Sequence, residues 1–503
     1  MKRLLIIIVS LVPIIYSCES WLDVKPENSV NAEKALSTIS GNKSTLMSAY
    51  SQLLGSNSYG RQMIAGVEVM ADNAKIATSH GNVITDEARN TIGAHANNWT
   101  ISYRVIRNAN FVIDAIDKVE DITAADTYNK RLIKGEAYFL RGWQLFDLAR
   151  VYSREPNHLI PNFDLGVIIQ TKPFIFDGTN IPEIEKPRST VDETYEQIIN
   201  DLEESFNLLQ DNDNGNFPNR GTALASKAML ARVYLYKEDY ASAITAATWV
   251  IDNASKYGIS IVTGDYTTVF SQSKETIFQL VYRETDNLGS SSMQSIYTNT
   301  GLLEPLANNP EWYRDEKKGS GYGDVLFSIA LYNTYESGDS RLALMKKVIR
   351  GANLSTPEKG IWLYKFNGYN GVYGLDNIPI IRLSEMYHIR AEAYLKKPVK
   401  EELNALNDIN FMRVARKLTP VNNISGQELL TLAENERRKE FIGEGHRFFD
   451  LKRWGRDISK SPEGIAAGYV ALSWDDPRVV ARIPLTDAQP NGANPNLVQN
   501  PGY

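Results

Sequence analysis

The chain has 503 residues, 43% of them hydrophobic and 23% charged, a balance that fits a globular protein with an extensive core and excludes a disordered one. Its formal net charge is −6, so there is no sequence-wide basic surface and nucleic acid is not an expected partner. A single cysteine excludes a framework of disulfides.

At the start, Lys2 and Arg3 precede an apolar run from Leu4 to Ile15, followed by Ser17 and Cys18. A basic start, about a dozen apolar residues and a small residue before the cut read as an export signal over residues 1–17; a membrane span would need roughly 20 apolar residues. Cys18 then reads as the acylated first residue of a mature chain, residues 18–503, whose formal charge without Lys2 and Arg3 is −8. One acyl chain holds a protein only marginally, so firm retention calls for several. The alternative is a plain signal peptide with a cysteine that merely falls near the cut. No later stretch is apolar enough to span a bilayer, which predicts attachment to a membrane without insertion.

The first polar cluster, Asp72-Asn73, His80, Arg89 and Asn97-Asn98-Trp99, leads into a helix carrying Ile106, Ile113 and Ile116. Asp72 and Asn73 are candidates to meet sugar hydroxyls, whereas Trp99 reads as the apolar start of the helix. The run from Arg131 to Tyr152 is apolar on nearly every side, with Phe139, Trp143 and Phe146 on one face and the small residues Gly135, Ala137 and Gly142 elsewhere, which predicts a helix between close neighbours. Thr190 with Glu193 three residues later is a capping box for a helix to about Leu209, broken by the polar stretch Asp211 to Asn216.

From Leu224 the sequence predicts a helical hairpin turning near Lys237 to Tyr240, with Ala231, Tyr234, Tyr240 and Ala243 at the small and aromatic packing positions of a tetratricopeptide repeat. Ala231 and Glu238 stand where that repeat usually has Gly, which predicts altered turn geometry. A second hairpin spans residues 380–417, with Ala391 and Tyr394 in the same pattern and Ala405 two residues late. The repeats are therefore dispersed, with no tandem array. Ile277 to Tyr282 alternates as a strand, and Val479 to Ile483 is a candidate for another. Asp286 to Gly323 and Tyr364 to Asn377 show no helical spacing and read as long irregular segments of functional interest.

No metal-ligand spacing, nucleophile elbow or phosphate loop in a βαβ context occurs, so no catalytic or metal-ligating residue is singled out and no cofactor is expected. The irregular segments carry Tyr297, Trp312, Tyr313 and Tyr322, then Tyr364, Tyr369 and Tyr373, among Asn299, Asn308, Asn309, Arg314, Asp315 and Asn370. Sugar C–H faces pack on aromatic rings while sugar hydroxyls need fixed donors and acceptors, so these rings read either as carbohydrate contacts or as anchors pinning the loops. The candidate contacts are Asp72, Asn73, Tyr297, Trp312, Tyr313, Tyr322, Tyr369 and Tyr373.

Near the end, residues 436–455 read ERRKEFIGEGHRFFDLKRWG, predicting a helix that ends at Gly443-Glu-Gly445 and a second that starts there. Arg437, Arg438, Arg447 and Arg453 supply the cations to neutralise Glu440, Glu444 and Asp450, against a catalytic role for these carboxylates. This run resembles the C-terminal signature of the SusD/RagB family of outer-membrane nutrient-binding lipoproteins. Residues 18–26 (CESWLDVKP), 135–141 (GEAYFLR), 382–394 (RLSEMYHIRAEAY) and 494–503 (NPNLVQNPGY) resemble further segments of it. The resemblance implies a mainly α, SusD-like helical body with dispersed tetratricopeptide-like hairpins, long loops and a few short β-strands. It implies one domain over 18–503 with a loop-rich insert at about 260–380. It also implies a binding protein, lipid-anchored on the outside of the outer membrane, which passes oligosaccharide, or in RagB-like members peptide, to a SusC-like TonB-dependent transporter. A structural helical-repeat subunit of a membrane complex is the reading from another class.

Overall fold

In a computed structural model of the chain, the described residues are 32–77, 81, 83–173, 186–210, 217–301, 303–315, 319–350, 358–460, 469–484 and 497–503. Residues 1–31 with Cys18, His80, the stretch 211–216 and residues 494–496 lie outside them.

Helix α1 (Ile39–Gln52) opens the helical body and is followed by α2 (Trp99–Ala115), which begins at Trp99 as expected. Helix α3 (Asp126–Tyr152) is buried along most of its length, with Phe139, Trp143 and Phe146 fully enclosed. It packs against α2 on one side and α4 (Val191–Leu209) on the other. Gly142 explains the closeness of that second contact: a Cβ there would sit 3.0 Å from Cγ of Leu202 and 3.1 Å from Cβ of Asp201. A mid-helix glycine costs roughly 1 kcal/mol relative to alanine, and the two helices approach over it. The Thr190 and Glu193 capping box is present at the start of α4.

The hairpin α5 (Ala223–Tyr236) and α6 (Tyr240–Asn253) turns over Lys237 to Asp239, where Glu238 takes a left-handed φ of 59° in place of a glycine. Helix α6 then packs on α7 (Leu383–Lys396), which forms the second hairpin with α8 (Glu402–Ala415) and also meets α9 (Gly426–Glu440). Each helix thus covers the next, so a row of amphipathic faces buries itself in succession. No helix among the described residues is long and apolar enough to cross a membrane.

Two sheets interrupt this row. Strand β2 (Thr276–Leu280), foreseen from its alternation, pairs antiparallel with β8 (Ile378–Arg382). The larger sheet was not foreseen and has the order β1-β5-β7-β6-β4-β3. Its strands are β1 (Ala74–Ile76), β3 (Leu303–Leu306), β4 (Asn309–Asp315), β5 (Val325–Phe327), β6 (Met345–Arg350) and β7 (Glu358–Leu363). All pairs are antiparallel except β4 with β6. The expected irregularity of 286–323 is therefore corrected: it holds β3, β4 and a one-turn helix at Met293–Tyr297. Polar β3 and β4 lack apolar alternation because they lie toward one margin of the sheet, away from the main core. The strand expected at Val479 to Ile483 is also absent. Pro477 opens a 3-10 turn over Pro477–Val479, with Asp476 accepting from the Arg478 N–H, and Ala481 N–H donates to Val151 O at 2.7 Å at the end of α3.

Candidate functional site

The signature forms as expected from α9, a turn at Phe441 to His446 and a short helix α10 (Arg447–Arg453). Gly443 takes φ 74°, where a side chain is strained and a Cβ would lie 2.3 Å from Leu363 Cδ2. The turn therefore presses against β7.

Around it lies a buried ionic network whose pairing differs from expectation. Glu440 faces Arg416 at 2.8 Å, Arg382 at 3.1 Å and Arg341 at 3.6 Å. Glu444 faces Arg382 at 2.8 Å and Lys365 at 2.6 Å. Of the arginines inside the signature, Arg437 and Arg453 hold Asp450, while Arg438 and Arg447 reach Asp72. The cations for Glu440 and Glu444 come from distant segments, which no local spacing encodes. With Glu275, Asp339, Glu436, Glu336, Arg413 and Lys439 the connected network holds six carboxylates and six cations. It is charge-balanced, which is what its burial requires. Burial alone would push the Glu440 carboxyl up; Arg416 and Arg382 override it and hold it well below the usual carboxylate range.

Lys365 of this network lines a cavity of about 480 Å³. The ring of Phe270 forms part of the lining and lies 5.1 Å from the Lys365 ammonium and 5.3 Å from the Arg382 guanidinium. Tyr364 and Tyr369 contribute rings, Asn367, Asn377, Thr267 and Ser271 amides and hydroxyls, and Lys346 an exposed cation 5.0 Å from the Tyr364 ring. Asp376 is the one lining carboxyl. Its Oδ1 accepts from Gly368 N–H at 2.8 Å while its buried Oδ2 has no partner among the described residues. Burial pushes this carboxyl up to about 6, against the pull of the Gly368 and Asn367 N–H groups. Rings, amides, hydroxyls and one acid pushed up by burial make a polar, aromatic recess suited to a polyhydroxylated ligand.

The candidate residues separate into distinct places. Tyr369 is 43% exposed at the cavity. Tyr322, 39% exposed, and half-buried Tyr373 lie outside its lining, Tyr322 against Gly81 and Tyr373 against Gly321. Trp312 and Tyr313 are neighbours on β4, and neighbours on a strand point to opposite faces. Trp312 meets Lys347 and Lys359, whereas Tyr313 shares Lys346 with Tyr364, so the two cannot form one platform.

Two expectations are corrected, and a third candidate is tied up in an ion pair. Tyr297 is fully buried: its ring packs on Phe327 and Phe366, and its hydroxyl donates to Gly443 O at 3.1 Å. Asn73 is also fully buried, donating to Glu68 and accepting from Arg438. Asp72 is gripped by both nitrogens of the Arg447 fork at 2.7 and 2.8 Å. Polar and aromatic residue types alone did not separate Tyr297 and Asn73 from cavity residues.

Lys346, Asn367, Asp376, Asn377, Thr267 and Phe270 were missed as individual residues. The only signal was that all fall within the segment marked as loop-rich.

Residues 20–235 match a family model described as SusD-like, starch-binding associating with outer membrane, and residues 345–503 match one described as SusD family. A SusD-like protein P38 of Formosa agariphila is 26% identical over 501 residues, covering 88% of this chain and 90% of that protein. The crystal structure of a SusD superfamily protein from Bacteroides thetaiotaomicron superposes with a TM-score of 0.75 at 26% identity, covering 92% of this chain and 100% of that one. A SusD-like carbohydrate-binding protein from Bacteroides vulgatus gives a TM-score of 0.75 at 23% identity, covering 92% and 97%.

Proposed function

Because this chain belongs to the SusD/RagB family, we propose that it captures oligosaccharide at the cell surface and hands it to a SusC-like TonB-dependent transporter. The observation that carries this reading is the 480 Å³ recess in which Tyr364 and Tyr369 stand beside Asn367, Asn377 and Thr267, with the ion-paired Lys365 in its lining. A ring can stack on a pyranose face while the amides bond its hydroxyls. The Bacteroides vulgatus relative is a carbohydrate-binding protein, which supports the ligand class.

The protein acts by binding and without turnover. Glu440, Glu444 and Asp450 are all held in ion pairs, and Asp376 is the single carboxyl lining the cavity among the described residues, whereas glycoside hydrolysis generally uses two facing carboxyls. Attachment through acylated Cys18, in an outer membrane, would hold the recess beside the transporter. Cys18→Ala should release a folded, binding-competent protein and abolish uptake.

Affinity electrophoresis and calorimetry of the full chain against a panel of neutral and acidic polysaccharides, with casein peptides alongside, test the reading. At least one polysaccharide should bind, with no shortening of its chains on long incubation. Binding of peptides alone would defeat it.

A further inference from the structure

A second cavity, of about 270 Å³, shares no lining residue with the first. Strands β1 and β5 run antiparallel with Ala74 opposite Phe327, so Asp72 and Ser328 lie beyond one end of the pair, at this cavity, and Gly81 and Asp324 beyond the other. Its charged wall is made by Asp72, Arg438 and Lys460.

Not every donor of the cations here is taken up. Asp72 is spent on Arg447, which takes both its oxygens, and Arg438 approaches the same carboxylate at 3.1 Å. Arg438 Nε donates to Asn73 at 2.7 Å, while its Nη1 has no partner among the described residues. Lys460 Nζ donates to two carbonyls, Val69 O at 2.9 Å and Met70 O at 2.7 Å, which leaves its third N–H uncommitted. Burial pushes this ammonium down to about 7, with Asp72 pulling the other way. Arg438 and Lys460 are thus held by hydrogen bonds to buried groups, each with a donor left over at the cavity, while Arg447 takes the Asp72 carboxylate beside them. A cationic pair held this way binds an oxyanion without first ordering its own side chains.

We propose that this cavity takes the oxyanion of an acidic sugar residue, a uronate carboxylate or a sulfate ester, on Arg438 and Lys460. Leu331 supplies an apolar wall for the sugar ring, and Thr334 and Ser459 supply hydroxyls, features that a bare inorganic anion would not need. The choice of a sugar as carrier rests on the glycan reading above; the cationic site itself does not.

Calorimetry on the full chain would compare glucuronate and glucose 6-sulfate with glucose and inorganic sulfate. One of the two acidic sugars should bind at least tenfold more tightly than glucose and than inorganic sulfate, and which one does identifies the anion. Lys460→Gln should erase the preference and Lys460→Arg should keep it, with thermal melting confirming that both variants fold. Acidic sugars that bind no better than glucose overturn the site, and that comparison needs no variant. A preference that survives Lys460→Gln in a folded protein overturns it too, and inorganic sulfate binding as tightly as the sugars overturns the sugar assignment. Absence of binding by neutral oligosaccharides would count against the larger cavity and leave this site standing.

Discussion

The C-terminal signature and the aromatic segments differ in how their residue types are used. In the signature, charges are drawn inside and paired: Glu440 is fully buried among Arg416, Arg382 and Arg341. In the aromatic segments, rings of one type are divided between the interior, as Tyr297 is, and the cavity, as Tyr369 is. A dense charge cluster in a sequence can thus mark a rigid interior, while scattered aromatics need the backbone to say which of them face a ligand.

The sharpest way to break this contrast is Glu440→Ala. It leaves the network one carboxylate short around three arginines, and unmatched buried charge costs about 3–5 kcal/mol. Denaturant unfolding should show that loss, and a change within 0.5 kcal/mol of wild type would mean that water reaches the network.

The two regions should also respond to acid in opposite directions. Burial raises Asp376 to about 6, above its unfolded range, so the folded state binds the extra proton between about pH 4 and 6 and stability falls as pH rises through that window. Glu436 is depressed, to about 2, because Arg341 and its neighbours override burial. Its contribution is complete above about pH 4.5 and is lost as pH falls toward 2. Asp376→Asn should gain about 1–3 kcal/mol at pH 7 relative to wild type and flatten stability between pH 4 and 6. An unchanged slope there would show Asp376 to be well solvated.

A smaller effect is expected at the recess. Tyr369→Ala should weaken glycan binding roughly tenfold, about 1.4 kcal/mol, with an unchanged melting temperature because the ring is half exposed. A drop in melting temperature without a loss of affinity would turn Tyr369 into an anchor. Least of all, Trp312→Ala should cost at most about 1 kcal/mol, the scale of an exposed cation–π contact with Lys347 and Lys359.

The helices were legible because their signals are local. The Thr190 cap, the turn at Glu238 and the break at Gly443 each lie within a few residues of what they control. The six-stranded sheet was not legible, since β1 and β5 pair across some 250 positions and β4 carries no apolar alternation. The same limit applied to the sites. Asp72 looked free in the sequence because its partner Arg447 stands 375 residues away. The recess drew Phe270 from one segment, Lys346 from a strand and Asp376 from a loop, and nothing in their spacing connects them.

That separation of 375 residues sets the order in which the molecule can be finished. At ribosomal rates of 5–20 residues per second, Asp72 emerges roughly 20–75 s before Arg447 exists. Through that interval β1 has no partner strand at first, and Asn73 and Glu68 wait for Arg438 and Gly445 to close over them. The early part of the chain is thus an exposed, half-built edge for most of its synthesis, and keeping it from pairing elsewhere falls to whatever escorts the nascent protein.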